Sequence, residues 1–205
     1  MLQQPTKFTN SQLSSWDELI TEAAKNSIQA LSDMSGQDIK SSLVKPYKID
    51  VTDIPNSLGG ADKVAVGVLL GIEQIPSFHI ALIHSPKTAY QVVDILMGYE
   101  SGTTVGLGEM EISALGEMGN IMGGYFLNTI GDKTGYELKP TPPSVRMDMT
   151  GAILDYAIAS LMMETDEVTM IEAKYGTAEA QVDGVFAVMP SPELQSQIIT
   201  SWGVK

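Results

Sequence analysis

Ser113, Glu117 and Asn120 stand as S-x-x-x-E-x-x-N within residues 109–129 (EMEISALGEMGNIMGGYFLNT), a stretch whose pattern predicts one helix. At about 100° per residue, the three side chains fall within about 60° of one another. An acid offers charge and an amide both donates and accepts hydrogen bonds, so the two can act on one partner. The same spacing also occurs on solvated helix faces that bind nothing. Gly116 and Gly124 flank the triplet and leave little bulk in a partner's way. Met110, Ala114, Met118, Ile121 and Tyr125 follow the i, i+4, i+8, i+11 rule and are the expected anchoring stripe.

The elements that carry this helix come from an internal repeat. Ser85-Pro86 followed by KTAYQVVDILMG resembles Ser191-Pro192 followed by ELQSQIITSWG, each a Ser N-cap with Pro at the first helical position. Gly98 and Gly203 close the two helices. Upstream lie paired strand-like runs, residues 63–72 and 77–83 in the first half, 168–175 and 180–189 in the second. A long helix precedes each unit, over residues 11–34 and 109–130, and the glycine-containing stretch 100–108 reads as a linker. The expected organisation is a single domain over residues 1–205 made of two repeats, about residues 10–99 and 107–205. Its expected class is α/β (α+β), a pseudo-two-fold body with long helices packed on a β sheet.

The repeat supplies an internal comparison. Laying one long helix on the other puts Ser14 over Ser113, Glu18 over Glu117 and Thr21 over Asn120, with Lys25 over Gly124. The first half keeps the Ser and the Glu but lacks the amide, so it reads as a degenerate copy.

Composition narrows the partners. Twelve Lys and Arg against 25 Asp and Glu give a net charge of −13, a surface that repels nucleic acid and anionic lipid. The chain has no Cys, which removes disulfides and thiolate chemistry and fits a reducing, cytoplasmic setting. Its first ten residues lack the pattern of a signal peptide. The strongly apolar stretch 152–163 contains Asp155 and is too short to span a membrane, so no membrane insertion is expected.

Residues 113–123 (SALGEMGNIMG), followed by Thr141-Pro142-Pro143 and Met147-Asp148-Met149, resemble the second half of the CheC family of chemotaxis phosphatases. That family is also an internal duplication, so the resemblance extends over nearly the whole chain. CheX proteins are shorter and dimerise, and FliY carries a similar domain on a flagellar motor component. The resemblance implies hydrolysis of the aspartyl phosphate of the response regulator CheY. Asn120 would then orient the attacking water, as a Gln does in small GTPases. Glu117 would pair with the regulator's active-site Lys. Ser113 and Gly124 would support, although Ser113 could simply bond its own helix backbone. No cofactor of the protein's own is implied, since Mg²⁺ comes with the phosphorylated regulator. The degenerate face of Ser14, Glu18 and Thr21 is expected to be inactive or nearly so. In CheC proteins the region after Asp148 docks the receptor deamidase CheD, which makes Asp148 and Asp155 candidate partner-binding residues. The alternatives are a non-catalytic adaptor for CheY or CheD and a FliY-like signalling or motor module.

Other chemistry finds little support. His79 and His84 have no Cys nearby and are expected as strand or turn residues rather than a metal site. Gly119, Gly123 and Gly124 lie inside a helix with no Gly-Lys-Ser/Thr after them, so they permit close packing rather than cradle phosphate. The dozen Met residues read mostly as core filler. Residues 150–163 are expected to form a mostly buried helix.

Overall fold

The structure, a computed structural model, describes residues 9–73, 75–178, 181–190 and 192–202. Helix α1 (Asn10–Ser35) starts at a capping box in which Thr9 N donates to Gln12 Oε1 and Gln12 N donates to Thr9 Oγ1. It stops at Gly36, whose φ of +68° ends the helix in the left-handed region. Strand β1 (Lys40–Asp50) leads through a 3-10 turn (Val51–Asp53) and the one-turn helix α2 (Ile54–Ser57) into β2 (Val64–Ile72), β3 (Ile75–His84) and α3 (Pro86–Met97). Ser85 caps α3 by accepting from Thr88 N at 3.1 Å. The second half repeats the order as α4 (Glu109–Thr134), β4 (Ser144–Met149), α5 (Thr150–Leu161), β5 (Glu167–Gly176), β6 (Gln181–Met189) and α6 (Pro192–Trp202). The proposed cap Ser191 and stop Gly203 lie outside the described residues.

The six strands form one antiparallel sheet in the order β1-β5-β6-β3-β2-β4. Exchanging the halves and reversing the sheet reproduces this order, which is the pseudo-two-fold. Each half lends its outer strand to the other: β1 pairs with β5 and β4 with β2. Because every pairing is antiparallel, the class is α+β in detail. The sequence pattern predicts neither outer strand. Both are edges, and edges carry what an interior strand avoids: Pro46 and three lysines in β1, and side chains exposed nearly throughout in β4.

Helices α1, α3, α4 and α6 cover one sheet face around Trp16, Phe78, Phe126 and Phe186. Helix α5, with α2, covers the other face above Ala65, Ala81 and Met170. Helices α1 and α4 run antiparallel: Asn26 Nδ2 donates to Thr129 Oγ1 at 3.2 Å, Ser27 Oγ lies 2.8 Å from the Met122 carbonyl oxygen, and Lys133 pairs with Glu22 at 3.0 Å. The Ser, Glu and Asn/Thr positions of the two helices therefore lie toward opposite ends of the pair.

The anchoring stripe of α4 differs from the one predicted. Its buried positions are Leu115, Met118, Met122, Phe126 and Ile130, interleaved with Gly119 and Gly123. Met110 and Tyr125 are exposed, and Ala114 and Ile121 are half-buried. Two buried glycines explain the shift. A Cβ on Gly123 would stand 2.9 Å from Leu70 Cδ2, and one on Gly119 would collide with Val68 Cγ1, so the helix backbone itself rests on β2. A count of apolar side chains misses an arc that is partly backbone. Helix α5 is likewise less buried than expected, with Asp155, Tyr156, Met162 and Met163 in solvent at or just beyond its exposed face.

Two substitutions separate packing from propensity. Gly119→Ala forces overlap with Val68 and should destabilise the protein by about 1–2 kcal/mol, the overpacking cost less the helix-propensity gain. At Gly124 an added Cβ meets nothing within 4 Å. Gly124→Ala should therefore raise stability by up to about 1 kcal/mol. Urea unfolding of both variants measures this, and equal shifts in the same direction would contradict the close approach of α4 to β2.

Candidate functional site

Helix α4 opens at Gly108, whose N–H donates to Glu111 Oε2 at 2.8 Å, and Glu109 and Glu111 place negative charge at the positive end of the helix. One turn later Ser113 Oγ donates to the Glu109 carbonyl at 2.8 Å. Its hydroxyl proton is thus spent on the backbone. Glu117 and Asn120 are exposed and, among the described residues, neither side chain has a hydrogen-bond or ion-pair partner within the chain. The triplet faces almost directly away from the buried arc.

The surroundings of Asn120 are unusually bare. Its neighbours one turn before and one turn after are Gly116 and Gly124, and Gly119 and Gly123 lie between them and the sheet. A Cβ on Gly116 would meet only Val145 Cγ2, at 3.8 Å, and one on Gly124 would meet nothing within 4 Å. The carboxamide stands clear of the helix with both its donors and its acceptor unspent. The motif segment Thr141-Pro142-Pro143 buttresses this stretch from below: Thr141 Oγ1 accepts from Gly71 N at 2.9 Å, and Pro143 lies against Gly119.

The first-half face has the same scaffold and different contents. Ser14, Glu18 and Thr21 share one cleft of about 560 Å³ with Asp17, Glu22, Lys25, Asn26, Pro46 and Trp202. Asp17 occupies the position of Gly116 and Lys25 that of Gly124, so both clearings are filled by charged side chains. Burial pushes the Asp17 carboxyl up, and the charge of Lys48 in β1 partly offsets that. Lys48 and Trp202 are not legible in the sequence as part of this face, and Asp17, adjacent to Glu18 and too close to it in sequence to face it across a substrate, falls over Gly116 when the helix overlay is extended by one position.

Asp148 and Asp155 lie on the opposite side of the sheet. Asp148 pairs in register with Ala65, whose side chain is in the core beneath α5, and its Oδ1 accepts from Met149 N at 2.7 Å. Asp155 is exposed on α5 beside Tyr156. The two acids therefore share a side with each other but not with the triplet. A groove of about 440 Å³ on that side is lined by His79, Arg146, Tyr156 and Ala157. His79 Nε2 and Ser160 Oγ are 3.1 Å apart; the Ser160 hydroxyl donates to the Ala157 carbonyl, so the ring nitrogen is the donor. Burial holds the His79 pKa below its ordinary value, favouring the neutral ring. His79 and His84 both lie in β3, and among the described residues no group of three or more His, Cys, Asp or Glu is placed to hold a metal ion. No helix among the described residues is long and apolar enough to cross a membrane.

Comparison with known proteins agrees with the resemblance read from residues 113–123. The sequence profile of the CheC-like family matches residues 110–147, which run from the start of α4 to Met147 in β4. The chain is 26% identical to the CheY-P phosphatase CheC of Bacillus subtilis over 151 residues, 73% of this chain and 72% of that protein. It is 25% identical over 186 residues to a putative CheY-P phosphatase, CheC1, of Halobacterium salinarum, covering 90% of this chain and 93% of the relative. Among solved structures, Thermotoga maritima FliY superposes with a TM-score of 0.75 over 98% of this chain and 100% of that one, at 18% identity. At that identity the likeness to FliY is one of fold.

Proposed function

We propose that this protein is a phosphatase that hydrolyses the aspartyl phosphate of a CheY-like chemotaxis response regulator. The observation that carries the reading is the unspent Asn120 carboxamide, held clear of α4 between Gly116 and Gly124 and one turn from an unpaired Glu117. Two relatives bear names of CheY-P phosphatases, and their likeness covers most of the chain.

In hydrolysis of an aspartyl phosphate, a water oxygen forms a bond to phosphorus opposite the carboxylate oxygen. The bond from phosphorus to that oxygen breaks, its electron pair stays on the aspartate, and the water proton passes to phosphate. Mg²⁺ brought by the regulator neutralises charge on the phosphoryl oxygens. Because the leaving group is a carboxylate, the reaction chiefly lacks a water held in line. Asn120 meets that need: its carbonyl oxygen accepts from the water and its amide donates to the water oxygen or a phosphoryl oxygen. Glu117 sets register by pairing with a cation beside the regulator's phosphorylation site. Thr21 offers a single hydroxyl on a shorter side chain, in a face whose clearings are filled by Asp17 and Lys25.

A second partner fits the other side of the sheet. Asp148, Asp155 and the exposed Tyr156, Met162 and Met163 form an acidic and apolar surface suited to CheD. Its separation from the triplet leaves room for both proteins at once. Charge reversal by Asp155→Lys should weaken CheD binding about tenfold in a pull-down titration while leaving unassisted phosphatase activity unchanged; unchanged CheD affinity removes this assignment.

The main test is decay of the phosphorylated regulator with catalytic amounts of this protein. Asn120→Ala should slow the accelerated decay roughly a hundredfold, the scale seen when one preorganised donor is removed. Thr21→Ala should leave it within about twofold. A non-catalytic adaptor would instead bind at stoichiometric ratio without turnover, and a FliY-like structural module would be indifferent to Asn120→Ala.

A further inference from the structure

The pseudo-two-fold gives each residue around the triplet a counterpart around the degenerate face, displaced by 99 positions between α1 and α4 and between β1 and β4, and by 103 between β2 and β5. The sheet register supports the pairing: Met149 lies opposite Val64, and its counterpart Asp50 lies opposite Glu167. β2 and β5 also share one burial pattern from Val64 and Glu167 onward.

Two ion pairs border the degenerate face. Lys48 of β1 meets Glu167 of β5 at 3.1 Å, and Glu22 of α1 meets Lys133 of α4 at 3.0 Å. Their counterparts beside the triplet are Met147 with Val64, and Ile121 with Met34. Both charged pairs are thus apolar pairs on the face that keeps the amide. Met147, Val64 and Met34 are 49%, 51% and 57% exposed, so these substitutions fill no core. Tyr125, also exposed, replaces Asn26 on the Ile121 side. The result is a polar strip with an apolar bank on each side, while the same scaffold at the other end keeps its banks charged and solvated.

We infer that the two banks, Val64/Met147 and Met34/Ile121 with Tyr125, are the affinity determinants for a folded protein substrate. The inference rests on the phosphatase reading and deepens it. A small acyl phosphate would touch the strip alone, and only a macromolecule can desolvate both banks at once. Charge fixes the partner's chemistry between them: Glu117 is the acid of the strip and has no cation partner among the described residues, so the matching surface has a cation beside its phosphorylated carboxylate and apolar residues flanking it. Exposed Met and Tyr suit such a surface, since both bury large area at low cost in shape. The apolar banks adjoin the triplet without a break, Met147 through Val145 and Gly116, Ile121 through its neighbour Asn120.

The test transplants the protein's own ion pair. V64E/M147K recreates Lys48–Glu167 at the equivalent positions, and I121E/M34K recreates Glu22–Lys133, so each variant installs a pair that this fold already carries. Turnover of a phosphorylated CheY-like regulator gives kcat and KM, and titration with the beryllofluoride-loaded regulator gives Kd. Each variant should raise KM and Kd about tenfold, the effect of losing one modest hot spot, with kcat within about twofold and an unchanged unfolding midpoint. Wild-type turnover with KM unaltered in both variants overturns the inference and leaves the phosphatase reading standing. Wild-type binding without turnover, weakened by both variants, overturns the phosphatase reading and leaves the banks standing as a docking surface. Absence of both binding and turnover in the wild type overturns both. Should one variant unfold, the other bank's variant carries the same comparison.

Discussion

Everything at the candidate site depends on how closely α4 approaches β2. Gly119 and Gly123 let the helix backbone settle onto Val68 and Leu70, where a Cβ at either position would overlap a side chain of the sheet. That contact fixes the rotation of α4 about its axis. With the buried arc turned onto the sheet, Ser113, Glu117 and Asn120 are turned away from it. Gly116 and Gly124 lie on the outer side, where missing side chains leave the surface around Asn120 open. A rigid element with a polar triplet on its far side is a suitable base for holding one water molecule, because positional error in the amide translates directly into lost rate.

The second organising constraint is the exchange of outer strands. Since β1 completes the sheet beside β5 and β4 completes it beside β2, neither half is a finished sheet without the other. The two faces of the duplication are therefore held on one body while their surface residues are free to diverge. The divergence is coherent. The first face has Thr21 where the second has Asn120, carries Asp17 and Lys25 where the second has Gly116 and Gly124, and is bordered by ion pairs that water accommodates well and that contribute little to stability. The second face has the amide and the glycines and is bordered by Met, Val and Ile. An exposed ion pair must be desolvated when a partner covers it, whereas an exposed methionine gains from burial.

Much of this was legible in the sequence. The two long helices, the Ser85-Pro86 start of α3 and the four inner strands follow from capping chemistry and periodicity, and the overlay of Ser14, Glu18 and Thr21 on the triplet needed no coordinates. The outer strands were not legible, because an edge strand such as β4 has few buried side chains to set a period. The rotation of α4 was misjudged for a related reason: Met110, Ala114, Met118, Ile121 and Tyr125 make a regular apolar stripe, yet of these only Met118 is buried, and the buried arc includes glycines that a hydrophobic count ignores. Ile121 and Tyr125 of that stripe belong to the bank beside Asn120. The contrast between the two borders also needed the structure, since Val64 comes from the first half and Met147 from the second, and only the sheet register puts them together.

The central claim is that Asn120 holds the attacking water on a docked regulator. The most direct measurement is a structure of the complex with a beryllofluoride-loaded CheY-like regulator. The account predicts the Asn120 carboxamide within hydrogen-bonding distance of a water in line with the beryllium–aspartate bond, Glu117 paired with a cation of the regulator, and Met147 and Ile121 both covered. A regulator seated on the α5 side, or on α4 with Asn120 turned away from the beryllofluoride, would contradict it.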